Sequence, residues 1–471
     1  MRYPRLGALP AVVGALLVGS STAATAAGPA TAAPAVIRPA PSPPATTQPA
    51  TAPVPAPDTT VGRQVGWLVD ASRRLPVPET ELRAHLTEPS LTALGGVAGI
   101  NALLRTAAGD TGLRLAAYRA QFRREDGYAF GTLHGAGRTW HLVAIAVADG
   151  RLGRLAITPV PTSWAELDGR LGRLAPRATL LAAEVTGAGR CRPVHTVGAA
   201  TARPIGSVFK LYVLGALGEA VRRGSASWDE PFAVRDEWKV SRTEPVGALA
   251  AGTRLPLRTY AEYMIYYSDN SATDHLMHRL GRSAVEAQQV RFGTRRPDAN
   301  TPMLTTREVL QLKTIDYPRY ADAYAGLPTD AHRRAFLREV LPGLPPPAGS
   351  WPEPRHIDSI EWFASANDLC RIMTGLQRQS RVPGQRDIGR VLSLEGTTSV
   401  GLDLARWPVG RFKGGSEPGV LARNYLARTA TGRTFAVAVL LSDPARSIND
   451  SARTAELLAL VNGGFGLLDR S

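Results

Sequence analysis

Ser207 and Lys210 are the first pair in this chain whose types and spacing could do chemistry. They sit in Arg203-Pro204-Ile205-Gly206-Ser207-Val208-Phe209-Lys210, just ahead of the helical run Leu211-Tyr212-Val213-Leu214. Three apart on a helix, the two side chains share a face and their heads can meet. A serine hydroxyl becomes a competent nucleophile when a neighbouring base takes its proton. A lysine can be that base once burial or nearby positive charge lowers its pKa. A serine in the first turn also has backbone N–H groups and the positive helix end aimed at its site. Alone, the pair far more often marks a helix start with one exposed lysine.

Two later clusters change that balance. Ser268-Asp269-Asn270 follows within Tyr266-Tyr267-Ser268-Asp269-Asn270-Ser271, and Lys413-Gly414-Gly415-Ser416 follows the strand-like Val409 to Phe412. The chain holds only four lysines, Lys210, Lys239, Lys313 and Lys413, and two of them, Lys210 and Lys413, fall in these three elements. Arginine carries nearly all the remaining positive charge, so a retained lysine points to a need for an amine that can lose its proton, which guanidinium does not.

In this order the three elements resemble the Ser-x-x-Lys, Ser-Asp-Asn and Lys-Thr-Gly set of class A β-lactamases and penicillin-binding proteins. The resemblance runs from 161 to 471 and implies a serine hydrolase with no metal and no cofactor. It implies that Ser207 attacks a carbonyl to form an acyl-enzyme and that Lys210 accepts its proton. Ser268 would pass a proton toward the leaving group, and Asn270 would hold the substrate's amide side chain. Asp269 would brace its loop. Lys413 would raise the local potential and help keep Lys210 neutral. Backbone N–H groups of Ser207 and Ser416, with Gly415 beside them, would form an oxyanion hole, at about 3–4 kcal/mol per donor. The Ser416 hydroxyl could bind a substrate carboxylate.

Two departures stand out. Lys-Gly-Gly replaces Lys-Thr-Gly, removing the hydroxyl beside the lysine. The family's deacylating glutamate, expected about 35 residues beyond the second motif, has no counterpart in Arg291 to Asn300. Thr301 to Glu308 reads as the helix after a shortened loop, with Glu308 on its surface. The expectation is acylation with slow hydrolysis of a penicillin adduct, on β-lactam-related, ester or amide substrates. A D,D-peptidase and a covalent β-lactam sensor without turnover need the same motifs and stay open.

The elements that must position these residues are legible in outline. Residues 1–26 read as a signal peptide, with Arg2 and Arg5, an apolar run from Leu6 to Val18, and a cleavage site at Ala24-Thr25-Ala26. Residues 27–59 form a Pro/Ala/Thr-rich linker. Residues 60–160 give helices near Val65 and over Glu79 to Leu86. Four strands then follow, separated by Asp126-Gly127, Gly135-Ala136-Gly137 and Asp149-Gly150. This small α+β unit resembles the cone-shaped fold of isomerases and polyketide cyclases. Its fusion to a Lys-Gly-Gly-Ser hydrolase resembles a subgroup of serine hydrolases found with β-lactam biosynthetic genes, some esterase-like.

From 161 to 471, helix, strands, many helices, strands and a closing helix imply an antiparallel sheet assembled from distant parts of the chain. The intervening helices form their own subdomain. The fold class is therefore α+β/α/β in two domains. The formal charge of +15 is spread among scattered arginines with no basic run, which argues against nucleic acid. No stretch after the signal reaches membrane-spanning length, so the expected location is extracellular, with the leading segment kept as an N-terminal anchor as the alternative. His275 and His278 lack a third metal ligand. Trp362 and Phe363 are expected to pack at a helix start. Cys191 and Cys370 are free to pair in an exported protein, although sequence does not show that they meet.

Overall fold

The computed structural model describes residues 54–121, 126–347 and 349–471. The expected signal peptide and all but the last residues of the linker lie outside the described residues. Four helices open the described chain: Thr60–Ala71, Glu79–His85, Glu88–Ala93 and Gly96–Ala108. Thr59 caps the first by accepting from Gly62 N. The third and fourth escaped the sequence pattern, because Pro, Gly, Ala and Thr dilute the apolar period. Ile100 and Leu104 nevertheless bury fully.

Strands Arg114–Ala120, Tyr128–Gly135, Arg138–Ala146 and Leu152–Pro159 then pair in sequence order as an antiparallel sheet. Alternation along the third strand explains why both faces bury. Trp140, Leu142 and Ala144 pack on the four helices. Val143 and Ile145 turn the other way, onto the core that holds the terminal helix Ser451–Asp469.

That second face is docked by specific polar contacts as well. Thr132 Oγ1 donates to Gly401 O at 2.9 Å, and Arg119 donates to Leu402 O and Thr398 Oγ1. The His141 ring lies 3.0 Å from Ser399 O. Gly401, at φ 63°, is required here: a Cβ on it would lie 2.8 Å from Gly131 O.

Ser163 caps the helix Trp164–Leu171 by accepting from Glu166 N. The central sheet then takes the order Val409–Glu417, Val420–Arg428, Thr434–Ser442, Arg177–Val185, Cys191–Val197, antiparallel throughout. Two of its five strands come from before the helical region and three from after it, as the element order predicted. One face carries the terminal helix. The other faces the helices Lys210–Arg222 and Ala366–Gln379. Cys191 and Cys370 form a disulfide, tying the edge strand to the helix Ala366–Gln379. No helix among the described residues is long and apolar enough to cross a membrane.

Candidate active site

Ser207 lies in a single 3₁₀ turn, Gly206–Phe209, and the α-helix Lys210–Arg222 begins only at Lys210. The expected α-helical first turn is thus tightened, and Ser207 remains partly open between buried Gly206 and buried Val208. Below it, Phe209 stacks on Trp362 with ring centroids 3.8 Å apart. Trp362 therefore supports the Ser207 turn, and Phe363 pairs with Pro204 in a two-stranded ladder.

Lys210 is fully buried, with its amine 2.5 Å from Ser268 O, 3.2 Å from Ser268 Oγ and 2.7 Å from Asn270 Oδ1. Burial pulls its pKa down to about 8, against the opposing pull of Glu244, Asp269 and Asp274. Lys413 approaches from the sheet, donating to Ser268 Oγ at 2.9 Å and to Gly414 O at 2.7 Å. Its pKa falls well below the ordinary lysine value, chiefly through burial and then through Lys210 and Arg423. One hydroxyl thus joins two buried amines. Ser268 holds this place at φ 56°, a left-handed conformation rare for a residue with a Cβ.

Asp269 caps the helix Asn270–Leu280. Its carboxylate accepts from Ala272 N at 2.6 Å and Val246 N at 2.8 Å. Asp274, on the same helix, accepts from Thr306 N, Thr306 Oγ1 and Arg307 N, and burial pushes its pKa up to about 7.

The Lys413-Gly414-Gly415-Ser416 segment is part of a strand that runs against the Ser207 turn. A Cβ on Gly415 would lie 2.1 Å from Ile205 O and 2.7 Å from Ser207 N, and one on Gly206 would lie 2.9 Å from Ser416 N. Glycine at both positions lets the N–H groups of Ser207 and Ser416 come together. Ser207, Lys210, Ser268, Asn270, Lys413, Gly415 and Ser416 are thereby gathered in one place.

Glu361, Glu417 and Lys313 lie directly behind this place, and of the three only the lysine is singled out in the sequence. Glu361 accepts from Gly206 N at 3.1 Å and from its own neighbour Trp362 N at 2.6 Å. Glu417, next to Ser416, takes a 2.5 Å hydrogen bond from Lys313 Nζ. Burial, then Glu417, pushes Glu361 up to about 8, while Lys313 opposes. Burial also raises Glu417. The scarcity of lysine was a signal pointing to Lys313, but nothing local named its partner.

Two expectations are corrected. Glu308 is not a surface residue: it completes a capping box with Thr305, and Arg282 donates to both of its oxygens. Nor does the helix expected over Thr301 to Glu308 begin at Thr301: Thr305 is its cap and it starts at Thr306. The helix Thr306–Thr314 is followed by Arg319–Ala325 and Asp330–Glu339, before the chain returns at Phe363–Ala364. His275 and His278 serve packing. The His275 ring accepts from Arg235 N and meets Ser271 O, and His278 stacks on Trp238. No cluster of metal-ligand type occurs among the described residues.

A search among curated proteins finds no match. Among solved structures, the chain is similar to PBP-A at 16% identity and TM-score 0.43, over 65% of this chain and 99% of that one. It is similar to a beta-lactamase from Sphaerobacter thermophilus at 17% identity and TM-score 0.42, over 64% of this chain and 96% of that one. A beta-lactamase from Chitinophaga pinensis gives 16% and 0.42, over 63% and 97%. The profile of the beta-lactamase enzyme family matches residues 194–458, more than half of the chain.

Proposed function

The chain belongs to the beta-lactamase enzyme family, and from that premise we propose that it is a serine hydrolase working through an acyl-enzyme on Ser207, with β-lactam-related, ester or amide substrates. The observation that carries this reading is the Ser268 hydroxyl held between the buried amines of Lys210 and Lys413. Two ammonium groups sharing one hydroxyl in a dry site repel each other, so one of them gives up its proton near neutral pH. Burial lowers both amines, and we assign the base role to Lys210 because it lies three residues after Ser207 on the same turn, with its pKa brought down to about 8.

As a free amine, Lys210 takes the Ser207 proton while the hydroxyl oxygen bonds to the substrate carbonyl carbon. The oxyanion is received by the N–H groups of Ser207 and Ser416. The intermediate then collapses: the bond from the carbonyl carbon to the leaving-group nitrogen or oxygen breaks as the proton passes from Lys210 through Ser268 to that atom. Lys413 stabilises the charge that develops. Asn270 and the Ser416 hydroxyl hold the substrate's amide and carboxylate.

Hydrolysis of a penicillin adduct is expected to be slow. Glu308 is locked by Arg282, Glu361 by two backbone N–H groups and Glu417 by Lys313. Each is engaged in structure rather than held ready to activate a water. Smaller acyl groups from ester substrates leave room for water without such a base. Export is part of the proposal, and the Cys191–Cys370 disulfide supports it, because such bonds persist in oxidising compartments. The N-terminal α+β unit is proposed to be of the cone-shaped cyclase and isomerase type, acting as a packing or substrate-shaping module.

The test is to mix the protein with a fluorescent penicillin and with an acetylated cephalosporin, following intact mass and released product. The expected result is a lasting penicillin adduct and slow release of acetate, both absent in Ser207→Ala. No adduct and no product with either compound would remove β-lactams as substrates. Rapid penicillin turnover would overturn the slow-deacylation reading.

A further inference from the structure

Arginines that are scattered in the sequence converge at the far end of the central sheet. Arg378 and Arg381 come from the end of the helix Ala366–Gln379 and the residues just after it. Arg428 and Arg433 come from the hairpin joining the last two strands. All four line a cleft of about 450 Å³, which the turn between Val185 and Cys191 closes on its third side.

The only acidic residue lining the cleft is Glu184, and it is already paired with Arg192 and Arg433. Arg378 reaches only a backbone oxygen, Gly189 O at 3.1 Å. Arg378, Arg381 and Arg428 have no ion pair among the described residues. Behind them, Arg411 keeps Nε and Nη1 buried without a hydrogen-bond partner, and its Nη2 donates only to Ser380 Oγ at 3.4 Å. Burial, then the like charges of Arg381 and Arg428, brings Arg411 down to about 10. Like charges gathered around a buried guanidinium cost free energy that an anion in the cleft would offset.

The shape of the cleft narrows the anion. Guanidinium forks approaching from two chain segments suit a tetrahedral group with several oxygens better than a single planar carboxylate. No aromatic side chain lines the cleft to stack a base, which disfavours a single-stranded nucleic acid. The disulfide ties the strand beginning at Cys191 to the helix that carries Arg378, so two walls are fixed before any ligand arrives.

The cleft is separate from the serine site. Arg428 pairs in register with Val409, whereas Ser416 pairs with Leu421 at the other end of the same two strands. Seven residues of strand amount to roughly 23 Å.

We propose that this cleft binds a phosphate group of a small molecule, either a phosphate ester or free pyrophosphate, at a site distinct from the serine centre.

The experiment is calorimetric titration of the full chain with sodium pyrophosphate and, separately, with glucose 6-phosphate, at low and at physiological salt. The expected result is one saturable site, with affinity falling as salt screens the contact. Arg381→Gln combined with Arg428→Gln should weaken binding at least about tenfold, while leaving the melting temperature and ester hydrolysis unchanged. Arg296→Gln, an exposed arginine paired with Asp298, should leave binding unchanged. Tighter binding of glucose 6-phosphate identifies an ester as the ligand, and tighter binding of pyrophosphate identifies the free anion. Equal binding by the double variant, uptake without saturation, or a duplex oligonucleotide outcompeting both probes would each overturn the proposal.

Discussion

Two buried lysine centres lie close together around the strand Val409–Glu417, and they are built on opposite principles. In one, Lys210 and Lys413 face a shared hydroxyl, and burial pulls the pKa of each below the ordinary lysine value. In the other, Lys313 is equally buried but bonds to the carboxylate of Glu417, and Glu361 completes the group. Desolvation penalises the charged amine in both. In the second a carboxylate adjoins the amine, whereas the first has only neutral oxygens in direct contact. The same residue type, buried to the same degree, is the proposed base in one place and an ion-paired strut in the other. Partner chemistry decides which.

The largest effect that could break this contrast lies in activity. Lys210→Met should lower the rate of acylation, read as appearance of the penicillin adduct, by about 10³-fold or more, a size seen when a nucleophile loses its partner. Lys413→Ala should cost about 10²–10³-fold, the range for losing one electrostatic stabiliser. Lys313→Met reducing acylation as far as Lys210→Met would erase the distinction between base and strut.

Stability should move in the opposite pattern. Lys313→Met leaves Glu417 buried without its cation and should cost about 3–5 kcal/mol in urea unfolding. Lys313→Met with Glu417→Leu should cost less than the single change, since the pair is removed together. A double variant as unstable as the single one would show that the pairing is not what Lys313 supplies.

Proton linkage sharpens the comparison further. Acylation should rise with pH through about 8 as Lys210 loses its proton. Glu361 has a folded pKa raised from 4.5 to about 8, so it binds more protons folded than unfolded between those values. Its stabilising contribution is therefore full below pH 4.5 and lost as pH rises through 8. Glu361→Gln should flatten the fall in unfolding free energy over that window and leave the acylation limb near 8 in place. Movement of the acylation limb with Glu361→Gln would mean the two centres titrate as one.

The smallest effect concerns docking of the N-terminal sheet. Thr132→Val removes the hydrogen bond to Gly401 O and should cost about 1 kcal/mol in urea unfolding, with the acylation rate unchanged. A changed rate would tie that sheet to the serine centre.

Much of this molecule was legible in local sequence. The four N-terminal strands and the split central sheet followed from alternation and turn residues. The three motifs followed from short spacing: Ser207 and Lys210 are fixed by one turn of chain, and Asp269 by its cap. What escaped was whatever depends on distant segments meeting. Glu308 looked like an exposed helix residue because Arg282, its partner, lies on a different helix. Glu361 sits 155 positions from Gly206, and Glu417 sits 104 from Lys313. The helix Gly96–Ala108 was missed for a simpler reason, since glycine and alanine give a weak apolar period that tertiary burial overrides.

The sequence by itself determined the chemistry available: a serine, two amines and a glycine pair at spacings that one turn or one strand can present. Only the tertiary structure decided which amines stay unpaired, that Cys191 reaches Cys370, and that scattered arginines share one cleft. The physical reason is that hydroxyl, amine and backbone geometry within a motif is set over a few bonds. Desolvation and pairing are set by whatever strand register and helix packing bring alongside, and those partners lie far away in the chain.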